Sequence, residues 1–144
     1  MYANDPLPRF HRAQTFDYNV ALTEIQLGRK RSHWMWYIFP QLRALGRSQF
    51  ALYYGIADIR EARAYLQDPV LGPRLMEICQ ALLELTACDP LEVLGYPDNL
   101  KLRSCMTLFR EADPSISVFQ DVLNKFYAGA PCTRTLHILA AQNG

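Results

Sequence analysis

Nothing in this chain is apolar for long enough to cross a membrane, because no run approaches the roughly 18 residues a spanning helix needs. A dominant charge is missing as well. Fifteen Lys and Arg stand against fourteen Asp and Glu, a net +1. No global field therefore draws the chain to nucleic acid or an anionic membrane, and any electrostatic recognition has to be local. The four cysteines, Cys79, Cys88, Cys105 and Cys132, include no Cys-x-x-Cys pair. The opening Met1–Pro6 lacks the basic-then-apolar pattern of a secretory leader. Together these absences point to buried thiols in a reduced cytoplasm.

Catalytic signatures are scarce too. His11, His33 and His137 are not spaced with the cysteines as zinc ligands, so neither a metal nor a cofactor is expected. A phosphate-binding Walker loop, a Gly-x-Gly-x-x-Gly turn, a Gly-x-Ser-x-Gly elbow and a His-Glu-x-x-His helix are all absent. No paired carboxylates suggest glycoside hydrolysis. Strict two-residue alternation is hard to find, and no Asn-Gly or Asp-Gly turn joins two apolar runs, which argues against a sheet.

What is present is apolar content with helical spacing. Half of the 144 residues are hydrophobic, enough for one core and too many for intrinsic disorder. Tyr18, Ala21, Leu22 and Ile25 fall on one helical face after Asp17, read as an N-cap, with Gly28 as the stop. Asp58 with Glu61 three residues on forms a capping box that opens a helix over Ile59, Ala62, Tyr65 and Leu66. Leu71, Leu75, Ile78, Leu82 and Leu85 mark a longer helix that tolerates Pro73 only in its first turn. Asp89-Pro90 starts a short helix ended by Gly95, and Asp98 starts one over Leu102, Cys105, Met106 and Phe109, ended by Asp113-Pro114. Ser115 is read as the cap of the next, carrying Val118, Phe119, Val122, Leu123 and Phe126 up to Gly129, and a tail helix holds Leu136 and Leu139. Trp34 to Phe39 reads as a helical turn broken by Pro40. The expected fold is all-α, a single compact domain of about six or seven short helices over residues 1–144, with 1–8 an extended lead-in.

The densest stretch runs from Gly28 to Gln41. It holds three consecutive cations, His33, both tryptophans of the chain, and the Phe39-Pro40 break. With Phe10, Ala13-Gln14, Leu45-Gly46-Arg47-Ser48, Tyr54, Ile56, Glu61-Ala62-Arg63-Ala64-Tyr65-Leu66, Leu71-Gly72, Asp98, Lys101-Leu102-Arg103-Ser104 and Met106-Thr107-Leu108-Phe109, it resembles the bacterial domain-of-unknown-function family 1810. The resemblance covers nearly the whole chain, and the His-Trp-Met-Trp-x-x-Phe-Pro-Gln string carries most of it. It implies a mainly helical fold and transfers no catalytic residue. Two positions depart from it: Cys105 stands where a second serine is usual, and Cys132 where an acidic residue is common. The calpastatin-like label sometimes attached to the family does not fit, since calpastatins are long, polar and disordered.

The residues themselves suggest one cleft. Arg29 and Arg31 offset the dipole at a helix C-terminus, which leaves Lys30 to meet an anion. His33, flanked by cations, is expected as a neutral imidazole able to accept a proton. Trp34 and Trp36 cannot share a helical face; Trp34 is assigned to the core and Trp36 to the cleft. Gln41 and Tyr54 add polar groups. Lys101 and Ser104, three apart on a helix, form an anion-contacting pair. The expected ligand-binding set is thus Lys30, His33, Trp36, Gln41, Tyr54, Lys101 and Ser104. The expected ligand is a small anion, nucleotide-like or phosphorylated. Were the site catalytic, His33 would be the proton carrier. The rival reading is a protein-interaction module built on the aromatics around Trp34 and Trp36. A nucleic-acid binder needs more positive surface than this chain has.

Overall fold

The computed structural model describes residues 7–143, all of them helical or in connections between helices. Nine α-helices follow one another: α1 (Pro8–Gln26), α2 (Met35–Ile38), α3 (Gln49–Tyr54), α4 (Ile59–Gln67), α5 (Leu71–Glu84), α6 (Pro90–Leu94), α7 (Asp98–Ala112), α8 (Val118–Tyr127) and α9 (Thr133–Asn143). A 3-10 turn occupies Arg43–Leu45 between α2 and α3. An isolated parallel bridge between Leu42 and Ile56 closes the loop that contains it. The fold is all-α, with more helices than the sequence pattern suggests.

α7 is the central helix. Leu102, Cys105, Met106, Leu108 and Phe109 are inaccessible to solvent, and α4, α6, α8 and α9 pack around it. α5 meets α1, α4 and α8, so one continuous apolar core joins both halves of the chain. Phe10, Tyr65, Phe109 and Phe119 form a chain of ring contacts with centroids 5.1–5.9 Å apart, the spacing at which aromatic pairs add to simple burial.

Several local expectations hold. Asp58 caps α4 by accepting from the Glu61 amide at 3.0 Å, and Asp89 caps α6 by accepting from the Leu91 amide at 2.9 Å. Gly28 sits at φ 84° just beyond α1 and Gly95 at φ 78° beyond α6, conformations that cost a side-chain-bearing residue dearly.

Others need correction. Asp17 is not a cap, for α1 starts nine residues earlier at Pro8, a proline in the first turn where its missing N–H costs nothing. Pro8 itself is therefore helical; the rest of the expected lead-in, except Leu7, lies outside the described residues. Ser115 does not open α8. Its hydroxyl donates to Asp113 at 2.6 Å, and Ser117 precedes the first helical residue. The six-residue α3 was not anticipated; its Ser48 cap accepts from the Ala51 amide at 3.1 Å. The cysteines also divide. Cys79 and Cys105 are buried, Cys88 is exposed, Cys132 is half-buried, and all four are free thiols. No helix among the described residues is long and apolar enough to cross a membrane.

Candidate functional site

The loop after α1 is organised by a residue that no local sequence pattern singles out. Glu24 is buried on α1, and its Oε1 accepts from the amides of Arg31 and Ser32 at 2.7 and 2.9 Å and from Trp34 Nε1 at 2.9 Å. Its Oε2 accepts from the Ser32 hydroxyl at 2.5 Å. Burial by itself would favour the neutral acid, but these four donors outweigh it and hold the carboxyl down at about 2. The cationic run is thereby pinned to the end of α1. The Lys30 amide in turn donates to the Val93 carbonyl at 2.7 Å, which joins the loop to α6.

From this scaffold the two tryptophans part company. Trp34 is 1% exposed and belongs to the core. Trp36 is half-buried, packs on Phe50 at 5.1 Å, and carries Lys101 Nζ 5.2 Å from its ring centroid. A small recess lies beside it, lined by Met35, Trp36, Phe39, Gln41, Gly55 and Lys101. Of the two tryptophans, Trp36 alone reaches the surface, where Phe50 packs beside it.

A larger cavity of about 380 Å³ opens on the other side of Lys101, between α7, the loop before α9 and the 3-10 turn. Gln41, Lys101 and Ser104 of the expected set line it. Arg103, Cys132, Thr133 and Arg134 complete its polar wall, with Leu45, Pro97 and Leu100 as the apolar side. Lys101, Arg103 and Arg134 line this space, and no carboxylate is among its described lining residues. The first residues of α9 form part of the wall, so the positive end of that helix adds to the field.

Four of the seven expected residues therefore sit at one junction: Trp36, Gln41 and Lys101 at the recess, and Gln41, Lys101 and Ser104 at the cavity. The others lie elsewhere. Lys30 lines a separate depression with Gly28, Arg29 and residues 91–95, and its Nζ is 3.0 Å from Asp98 Oδ2. The other oxygen of Asp98 lies 3.7 Å from Lys101 Nζ, so one carboxylate is divided between two ammonium groups. His33 is exposed and lines neither space; the Tyr37 hydroxyl donates to its carbonyl at 3.3 Å. Tyr54 stands behind the recess among Phe10, Tyr37, Phe50 and Tyr53, and burial raises its phenol above the ordinary value. Its role is packing rather than lining.

Arg103, Cys132 and Arg134 also line the cavity and lie outside the expected ligand-binding set. Arg103 Nε donates to the Ala130 carbonyl at 3.0 Å. Thr107 Oγ1 donates to the Arg103 carbonyl at 2.8 Å and accepts from the Cys132 amide at 2.9 Å. These bonds fasten the start of α9 to α7. They leave Cys132 at the head of α9, its Sγ 3.4 Å from Ser104 Oγ. Partial burial opposes ionisation of this thiol, yet the hydroxyls of Ser104 and Thr135 and the amides of Thr135 and Arg134 bring it below the ordinary cysteine range. Cys79 and Cys105, enclosed in the core, are pushed the other way by burial. Among the described residues, no three His, Cys, Asp or Glu side chains gather as metal ligands.

A small all-helical protein with a cation-lined cavity beside its central helix is the class that this fold and site define. The chain belongs to the family described as "Protein of unknown function (DUF1810)", which matches residues 4–139. Among solved structures it is similar to the conserved hypothetical protein Rv1873 from Mycobacterium tuberculosis, with 45% sequence identity and a TM-score of 0.92. That match covers 94% of this chain and 97% of the other. No curated protein matches the chain.

Proposed function

We propose that the protein binds a small anion, phosphorylated or nucleotide-like, in the cavity between α7 and the head of α9. The observation that carries this reading is the lining: Lys101, Arg103 and Arg134 converge on about 380 Å³ with no carboxylate among the described lining residues. Arginine offers a bidentate fork and lysine a point charge, a combination suited to phosphate or carboxylate oxygens. Ser104 and Gln41 add neutral hydrogen-bonding groups. Leu45, Pro97 and Leu100 offer an apolar side to the non-ionic part of a ligand, and Trp36 lies across Lys101.

The test is thermal-shift screening of the purified protein against nucleotides, sugar phosphates and inorganic pyrophosphate. A ligand at 100 times its dissociation constant adds about 2.7 kcal/mol of stability. Stabilisation that Lys101→Met and Arg134→Met both weaken supports the cavity. Stabilisation unaffected by either substitution removes the reading.

A second reading, protein docking, draws on one feature. Phe50, Leu52 and Tyr53 of α3 are each about half exposed, and the Phe50 ring packs on Trp36. A Phe50→Arg variant that abolishes concentration-dependent association in sedimentation velocity supports that reading.

A further inference from the structure

Cys132 has surroundings that the other three thiols lack. It lines a space large enough for a small solute, whereas Cys79 and Cys105 are sealed in the core. Lys101, Arg103 and Arg134 line the same space. A second feature stands apart from these charges. Thr135 is fully buried, and its Oγ1 has no hydrogen-bond partner. It stands in the first turn of α9, three residues after Cys132 at the head of that helix, the spacing at which a capping side chain and the first turn meet. A buried hydroxyl without a partner costs stability, and a negatively charged sulfur is the acceptor that relieves it. The amides at the start of the eleven-residue α9 point the same way.

We propose that Cys132 is a modification site, where its sulfur exchanges with a small anionic disulfide whose acidic group is held by Lys101, Arg103 and Arg134. The thiolate attacks one sulfur of the incoming disulfide. A new S–S bond to Cys132 forms as the old one breaks, and the departing thiolate carries off the bonding electron pair and takes a proton from solvent. The disulfide is the oxidant and the protein thiol is oxidised to the mixed disulfide, so no further reagent is required. One half of the reagent stays in the cavity with its acid against the cations. Selectivity for the anion rests on the anion-binding reading above; the reactivity of the sulfur does not.

Three small disulfides of similar size and different charge test this on the intact protein: dithiodipropionate, hydroxyethyl disulfide and cystamine. Peptide mapping by mass spectrometry reads modification at Cys132, with the exposed Cys88 as a reference within the same chain. At neutral pH the neutral disulfide should modify Cys132 before Cys88. Relative to their ratio at Cys88, the anionic reagent should outpace the cationic one at Cys132 by roughly tenfold or more. Thr135→Val should slow exchange at Cys132 and move its pH profile upward while leaving Cys88 unchanged. Cys132 reacting no faster than Cys88 with the neutral reagent overturns the proposal. If Cys132→Ser is still stabilised by pyrophosphate in that event, anion binding stands and only the thiol chemistry falls. Exchange at Cys132 that is indifferent to reagent charge, with no anion stabilising any variant, overturns both the selectivity proposed here and the reading beneath it.

Discussion

Glu24 Oε1 accepts the indole N–H of Trp34 at 2.9 Å, ten residues along the chain and across a glycine turn. The contact explains why the most distinctive stretch of the sequence needs an acid upstream of it. The same oxygen holds two loop amides, so the tryptophan and the cationic loop are fixed together. Replacing Glu24 by Gln removes the charge and leaves at least one donor imperfectly met. The expected cost is about 2–4 kcal/mol, read from urea unfolding.

The same residue gives the protein an acid-sensitive component. The carboxyl of Glu24 is held at about 2 in the folded chain against 4.5 for the free group. Between those values the unfolded chain binds the proton and the folded chain does not, so stability rises with pH. The contribution is fully present above about pH 5 and is lost as pH falls toward 2. It amounts to about 3 kcal/mol at most. Urea midpoints measured from pH 6 down to pH 2 should show this slope in the parent and a flatter one in Glu24→Gln.

Trp34 and Trp36 are two residues apart but should respond very differently to truncation. Trp34→Ala empties a site in the core and is expected to cost about 3–5 kcal/mol. Trp36→Ala, at a half-buried position, is expected to cost about 1 kcal/mol. Equal losses in denaturant melts would contradict the division between core and recess.

Arg9 and Glu61 form an ion pair at 3.3 Å whose side chains are 6% and 8% exposed. Arg9 also donates to the carbonyls of Tyr53 and Gly55, at 2.7 and 2.9 Å, and Glu61 accepts from the Ala57 amide at 2.8 Å. The capping-box acid is thus also a buried counterion that ties α1 to the first turn of α4, while Arg9 itself reaches the end of α3. Glu61→Ala removes a buried carboxylate 3.3 Å from the guanidinium and the acceptor of the Ala57 amide, and should destabilise by about 3 kcal/mol. A Glu61→Gln variant, which retains an acceptor for the Ala57 amide, should lose less in the same chemical-unfolding assay.

Asp98→Asn should raise the affinity for an anionic probe several-fold, because Lys101 then has no neighbouring carboxylate to share. Pyrophosphate titration at low and high salt measures it, and the gain should shrink as salt screens the charges. Unchanged or weaker binding at low salt would count against Lys101 as the anion contact.

Legibility followed the range of the interaction. Gly28, Asp58, Asp89 and Gly95 act within a turn of their own position, and their roles can be read from neighbouring residues. An acid before a periodic run, as at Asp17, resembles a cap, whereas the true start at Pro8, ahead of Phe10, lies outside that apolar run. Lys101 and Ser104 could be paired because three residues on a helix place them side by side. Arg103 shares their helix, but its place in the wall depends on α9. Arg134 and Cys132 reach the cavity only because α9 docks on α7 through Thr107, a tertiary event with no local spacing. The one local hint was Pro131-Cys132-Thr133 at the head of a helix, where a polarisable side chain meets free amides. Glu24 was hidden for the same reason, since its partners lie beyond the turn at Gly28.

Asp98 faces Lys30 with one oxygen and Lys101 with the other, and those lysines border different depressions. The carboxylate is therefore a common counterion. An anion that draws Lys101 away leaves Asp98 to Lys30 alone, and a change at Lys30 is felt at Lys101 through the same group. Thermodynamic linkage makes that influence equal in both directions. Two depressions with no shared lining residue are in this way joined by a single negative charge, so that a change of charge beside one alters the electrostatics of the other.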